Sequence, residues 1–209
     1  MLVDRGQLER DIRLRCEQGD TSAAVALVIR GYGPEILGFL HAIRKNQQDA
    51  EDVFSIVCER VLRGMPAFAW ECSARTWLYT IARNASSSFH RDARVRAQRE
   101  RPLPDGSDLS RLAQEVRSET SPYQRTEVKN KFVELRDSLA PEERALLILR
   151  LDKRLEWKDI ARIMLDEKDP VDDLRLRRES QRLRKQFQGL KERLVEVGRS
   201  AGLIDTPEK

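Results

Sequence analysis

The stretch from Ser73 to Arg101 constrains this chain most, because its apolar residues recur at helical spacing and its charge is one-sided. Trp77, Leu78, Ile81, Ala85 and Phe89 fall three or four residues apart, the repeat that gives an α-helix one apolar stripe. Ser73 is placed to cap the start, since its hydroxyl can accept from a backbone N–H without a helical partner. The expected opposite face carries Arg75, Thr76, Tyr79, Arg83 and Asn84, continued by His90, Arg91, Arg94 and Arg96. From Arg75 to Arg101 seven arginines stand against only Asp92 and Glu100. A helix that packs on one side and offers Arg, Asn and an aromatic on the other suits a nucleic-acid backbone and its bases. A solvated basic helix on an ordinary bundle has the same pattern.

The same period recurs in most of the other segments of the 209 residues, and no stretch reads as a strand. The expected fold class is all-α: two small helical domains joined by a flexible linker. Gln7–Gln18 forms a short helix. Ser22–Arg30 and Pro34–Arg44 form two more, interrupted at Gly31-Tyr32-Gly33, with Pro34 at a first helical position that needs no N–H. Asn46–Arg63 is the next helix, with Asp49, Glu51 and Asp52 in its opening turns, where carboxylates complement the helix dipole. The loop after Gly64 sets Phe68 and Trp70 beside the start of the basic helix. They are either core plugs or platforms on which an unpaired base could stack.

After Arg101 the segment RPLPDGSDLS holds two prolines, a glycine and no periodicity, which reads as linker. Arg111–Val116 reads as a weak helical turn and Ser121-Pro122 as a new helix start. Val128–Ser138, Arg144–Leu151 and Leu155–Met164 follow as helical segments. Leu174–Val197 is a long basic helix, with Gly198 onward a frayed tail. Between Leu174 and Arg193 eight Lys or Arg stand against Glu179 and Glu192. A short helix, a connection and a longer basic helix follow one another in the order of a helix-turn-helix.

Composition removes several functions. The net charge is only +4, so attraction to an anion must come from how charge is distributed. No apolar run approaches the roughly 18–20 residues of a membrane span, no signal peptide is expected at the N-terminus, and no membrane insertion is expected. Cys16, Cys58 and Cys72 are far apart and odd in number, which suits reduced thiols in a cytoplasmic protein. Two histidines, His41 and His90, lie away from any ligand-spaced cluster, so no metal and no cofactor is expected. No phosphate-binding glycine loop is present, and no catalytic residue stands out, so an enzyme is not expected.

Four segments together resemble the extracytoplasmic-function group of the sigma-70 family, bacterial sigma factors built from regions two and four alone. Tyr32-Gly33-Pro34 with Ile36-Leu37-Gly38-Phe39-Leu40 looks like the YGPxLLxFL start of region two. Asp49-Ala50-Glu51-Asp52-Val53 looks like its DAEDL motif. Residues Arg75 to Asn84 look like RTWLYxIARN. Leu139-Ala140-Pro141-Glu142-Glu143-Arg144, continued to Trp157-Lys158-Asp159-Ile160-Ala161, looks like the LxPxxR…EIA pattern of region four.

The resemblance implies residues 1–100 as region two, 101–125 as linker, 126–198 as region four and 199–209 as a tail. It implies core RNA polymerase and promoter DNA as partners, with an anti-sigma factor as a further candidate partner. Asp49, Glu51, Asp52 and Ser55 would dock on polymerase. Phe68, Trp70, Arg75, Thr76, Tyr79, Arg83, Asn84 and Arg91 would bind the minus-ten strand and hold a flipped base. Gln181, Arg182, Arg184, Lys185 and Gln186 would read the minus-thirty-five element in the major groove. The chain departs from the family at Ser55 and Ile56, where Gln and Glu are frequent, and at Ala74, where Phe is usual. It departs most in the segment DEKDPVDDLRLRR, which lengthens the helix-turn-helix connection. The alternatives are a polymerase-independent helix-turn-helix regulator and a helical protein-interaction adaptor.

Overall fold

The computed structural model describes residues 4–44, 46–89, 108–124, 138–165 and 171–200, with side chains of the third segment described as far as Ser118. The chain divides into two compact units, Met1–Arg125 and Thr126–Lys209. No strand occurs among the described residues.

Unit 1 is built round α2 (Thr21–Ile43), against which α1 (Arg5–Glu17), α3 (Gln47–Gly64), α4 (Ala74–Ser88) and α5 (Asp108–Gln124) all pack. Short side chains define the starts. Asp4 accepts from the Gly6 and Gln7 amides, Asp20 from Ala23, Asn46 from Gln48 and Asp49, and Ser73 from Thr76. Each cap satisfies amides that the helix itself leaves unpaired. Ser73 caps α4 as expected.

The expected break at Gly31-Tyr32-Gly33 does not occur: α2 is continuous and Pro34 lies inside it. A proline there removes one ladder bond and costs about 3 kcal/mol in an isolated helix. Burial on both sides of the proline offsets that cost, with Val28, Ile29 and Tyr32 before it and Ile36, Leu37, Phe39 and Leu40 after it. Continuity also makes α2 long and apolar enough to cross a membrane, with mean hydropathy 1.4, although neither of its halves is. Here it is the central helix of a bundle, and an apolar surface all round is what that position demands.

A second departure lies in the segment expected as linker. Asp108–Gln124 is helix α5, running through Ser121 and Pro122, and it belongs to unit 1. Leu112, Ala113 and Val116 are buried at three- and four-residue spacing, a stripe too thin to stand out among polar neighbours. The helix expected over Ser73–Arg101 is described only as far as Phe89, so its basic half from His90, including Arg91, lies outside the described residues.

Unit 2 contains α6 (Pro141–Leu147), a π turn at Ile148–Asp152, α7 (Trp157–Met164) and α8 (Asp173–Ser200). The helix expected at Val128–Ser138 lies outside the described residues except for Ser138. Pro141 opens α6, and Arg144, only 2% exposed, turns back to donate to the Leu139 carbonyl at 3.1 Å. One face of α8, comprising Leu176, Ser180, Leu183, Phe187 and Leu190, is buried, chiefly against α7. The expected frayed tail is helical as far as Ser200.

The Cys58 side chain has no exposure, and burial pushes its thiol up to about 12. A thiol reagent at neutral pH should therefore modify Cys58 only after unfolding, as mass spectrometry of labelled peptides will show. Rapid labelling of Cys58 in the native protein would contradict this packing of α3.

Candidate nucleic-acid interface

The geometry of α4 begins with two glutamates from other helices. Glu9 of α1 accepts from the Ala74 and Arg75 amides at 2.9 and 3.1 Å and from the Tyr32 hydroxyl at 2.8 Å. A carboxylate there satisfies orphan amides and complements the positive end of the helix. Glu35 of α2 accepts from both sides of the Arg75 guanidinium, with Nε at 3.3 Å, and from the Tyr79 hydroxyl at 2.9 Å. Arg5 approaches the same carboxylate at 3.7 Å. Tyr79 meets Phe39 edge-on, with centroids 5.2 Å apart.

This network accounts for the direction of each titration shift. Burial, reinforced by the Glu9 carboxylate, raises the Tyr32 hydroxyl, and burial together with Glu35 raises Tyr79 well above its ordinary range. Burial works against the charge of Arg75, but the hydrogen bond and charge of Glu35 outweigh it and the guanidinium is held more firmly protonated.

The consequence changes part of the expected faces of α4, although Leu78 and Ala85 are buried and Asn84 is partly exposed as expected. Arg75, Thr76, Tyr79 and Arg83 are 8%, 1%, 0% and 9% exposed, so in this structure they are core residues and not the open face expected. Trp77 and Ile81, expected to face inward, are half-buried, on the same side as Asn84. The inward stripe is Ala74, Leu78, Ala82 and Ala85. That stripe was visible in the sequence at helical spacing, but its small residues were outweighed by the large apolar side chains of Trp77, Ile81 and Phe89. Glu9 and Glu35 were missed altogether, because only three-dimensional proximity pairs them with α4.

Aromatic residues dominate the surface beside α4. Phe68 stacks on Trp77 with centroids 4.6 Å apart and planes 18° off parallel, and Trp70 lies 4.7 Å from Phe68. The Trp77 ring is in turn close against Gly64, where an added Cβ would meet it at 3.0 Å. Trp70 has φ of 58°, an uncommon conformation for a bulky residue, and the Arg13 guanidinium lies over its ring at 5.6 Å. All three rings are half-exposed. Asn84 is half-exposed on the same helix, with its side-chain oxygen 3.3 Å from the Arg83 guanidinium.

The acidic residues of α3 are spread around its first turns. Asp52 is exposed and takes a bond from Gln48, while Glu51 takes one from Gln47. Asp49 pairs with Arg44 at 3.0 Å. The Ser55 hydroxyl donates to the Glu51 carbonyl at 3.1 Å and accepts from Arg117 of α5. No cluster able to hold a metal ion occurs among the described residues.

In unit 2, Gln181, Arg182, Arg184 and Lys185 are exposed on α8 and Gln186 is half-buried. Arg182 is paired with Glu179, its Nε donating at 2.8 Å, and bonds Gln186 at 3.3 Å. The Arg184 guanidinium lies 5.7 Å from the Trp157 ring, and Arg150 covers the same ring at 4.9 Å. A groove of about 410 Å³ between α7 and α8 runs past Trp157, Lys158, Arg177, Gln181 and Arg184.

Removing Arg75 would leave the half-buried Glu35 without its main partner, a loss of roughly 1–3 kcal/mol. Urea unfolding followed through Trp70 and Trp77 in a Trp157→Phe background should show that loss for Arg75→Ala and little change for Arg13→Ala. Equal, small effects would mean that Arg75 is solvated and that the expected outward face was right.

Residues 28–96, which include α3, the aromatic loop and α4, match the family Sigma-70 region 2. The chain is 28% identical over 140 residues to RNA polymerase sigma factor YlaC of Bacillus subtilis, covering 65% of this chain and 76% of that one. It is also 28% identical over 149 residues to ECF RNA polymerase sigma factor SigG of Mycobacterium tuberculosis, covering 61% of this chain but only 38% of that one. With the helical bundle and the ordered motifs that bear this match, the chain is similar to sigma factors of the sigma-70 family and of its extracytoplasmic-function group, the family match lying in residues 28–96.

Proposed function

We propose that the chain acts in the cytoplasm as a sigma factor that docks on core RNA polymerase, selects a promoter and stabilises the opened minus-ten strand. The observation that carries this reading is the half-buried Phe68–Trp70–Trp77 cluster, with Asn84 further along the same side of α4, a helix fixed from behind by the Glu35–Arg75 ion pair. Opening duplex DNA loses stacking of roughly 1.4 kcal/mol per step. An aromatic face returns roughly 1–3 kcal/mol for each base that stacks on it. A few such contacts balance the cost of a short opening, and a side-chain amide adds hydrogen bonds to the edge of an extruded base.

Within this reading the buried Arg75, Thr76, Tyr79 and Arg83 act indirectly, by setting the pitch and position of α4. Phe68, Trp70 and Asn84 are the groups that would meet the strand. The first unit carries polymerase docking, through Asp49, Glu51 and Asp52, and minus-ten capture. The second carries duplex reading, with Gln181 and Lys185 facing out from α8 and Arg182 and Arg184 able to exchange an internal partner for a base edge or phosphate. The connection between units raises the effective concentration of each contact once the other has formed.

Run-off transcription with purified core polymerase and pooled genomic promoter fragments tests the reading. Transcripts that depend on the added protein and start downstream of a shared sequence are expected. Absence of transcripts together with absence of core binding would refute it and favour a free-standing helix-turn-helix regulator. On a promoter so found, Asn84→Ala and Trp70→Ala should lower open-complex formation about tenfold or more while changing core binding less than twofold, since loss of one stacked or bonded base costs roughly 1–3 kcal/mol. Equal losses in both assays would contradict the assignment of these two residues.

A further inference from the structure

Helix α5 lies along one edge of the proposed docking face of α3, at the Glu51 carbonyl and Ser55, while Asp52 stays exposed. Its buried residues Leu112, Ala113 and Val116 are 6%, 1% and 3% exposed. Val116 fits a notch made by a missing side chain: a Cβ on Gly33 of α2 would lie 3.2 Å from a Val116 methyl and 3.4 Å from the Phe54 ring of α3. One residue on, the Arg117 guanidinium donates to the Glu51 carbonyl at 3.2 Å and to the Ser55 hydroxyl. A cation and a small branched apolar residue, one position apart on a helix, therefore occupy the α2–α3 surface at Glu51 and Ser55.

We infer that α5 is an internal cover over part of the polymerase-docking face, and that it must swing away before the chain loads onto core polymerase. This rests on the sigma-factor reading. The arrangement is what an amphipathic partner helix with a basic residue would present to an acidic helix, supplied here by the chain itself. Its hold is suited to release. The apolar stripe of α5 is narrow, with Ser110, Gln114, Glu115 and Ser118 on its other sides, and elements with few buried apolar contacts are the first to open locally. A site open for only a fraction of the time binds with its affinity reduced by that fraction. Covering for nine-tenths of the time weakens loading tenfold, and a promoter or polymerase contact elsewhere on the chain can restore it.

The test compares binding of the full chain and its Arg117→Ala and Val116→Asp variants to purified core polymerase by titration. Both variants should bind about five- to tenfold more tightly than the wild type. Amide hydrogen exchange at residues 112–118 of the wild type should speed up when core is added. Unchanged or weaker binding by both variants, or amides of α5 that become slower to exchange in the complex, would overturn the cover and leave the sigma-factor reading standing. If neither the wild type nor the variants bind core, the cover and the sigma-factor reading fall together.

Discussion

Two carboxylates hold unit 1 in its shape. Glu9 and Glu35 come from different helices and meet at the start of α4, where they take up two backbone amides, the Arg75 guanidinium and the hydroxyls of Tyr32 and Tyr79. Buried charge is costly unless it is paired and hydrogen-bonded. This one is paired several times over, so the groups have little freedom to rearrange separately. Position and rotation of α4 follow from the network, and so does the way Trp77 and Asn84 point outward. The aromatic cluster has its own support, from Gly64 beneath Trp77 and from Arg13 over Trp70.

Much of the fold was legible. Helical periodicity identified α1, α3, α7 and α8 to within a few residues, and the caps at Asn46 and Ser73 stand where short polar side chains precede an apolar repeat. The misreadings share a physical cause, the override of local signals by tertiary contacts. Pro34 with two nearby glycines reads as a break, yet α2 continues because its neighbours bury both sides of it. Arg75 and Arg83 read as surface because arginines are seldom buried, yet Glu35 lets Arg75 be one of the exceptions. Asp108–Gln124 reads as linker because its apolar stripe is three small or medium residues, and what seats it as a helix is a surface shaped to receive Val116.

Phe68, Trp70 and Asn84 are expected as strand-binding residues from chemistry and placement, and the structure leaves them partly exposed. In unit 2 the basic residues of α8 were legible as a set, but their pairing was not. Arg182 is held by Glu179, and Arg184 shares the Trp157 ring with Arg150. Internal partners of this kind keep long side chains ordered before a ligand arrives, which lowers the entropy lost on binding. The π turn at Ile148–Asp152 contributes by bringing Arg150 over Trp157, with its Nη1 donating to the Leu155 carbonyl at 2.8 Å.

The central claim is that the strand is met by the aromatic loop and the outer stripe of α4, with the conspicuous arginine and tyrosine side chains working from the interior. The most direct measurement is ultraviolet cross-linking of a bromouracil-substituted minus-ten strand in the assembled polymerase complex, with the attached residue identified by mass spectrometry. The account predicts adducts at Phe68, Trp70 or Trp77 and none at Thr76 or Tyr79. Adducts at Tyr79 without any on the loop would show that α4 turns its other face to DNA, and would contradict the account.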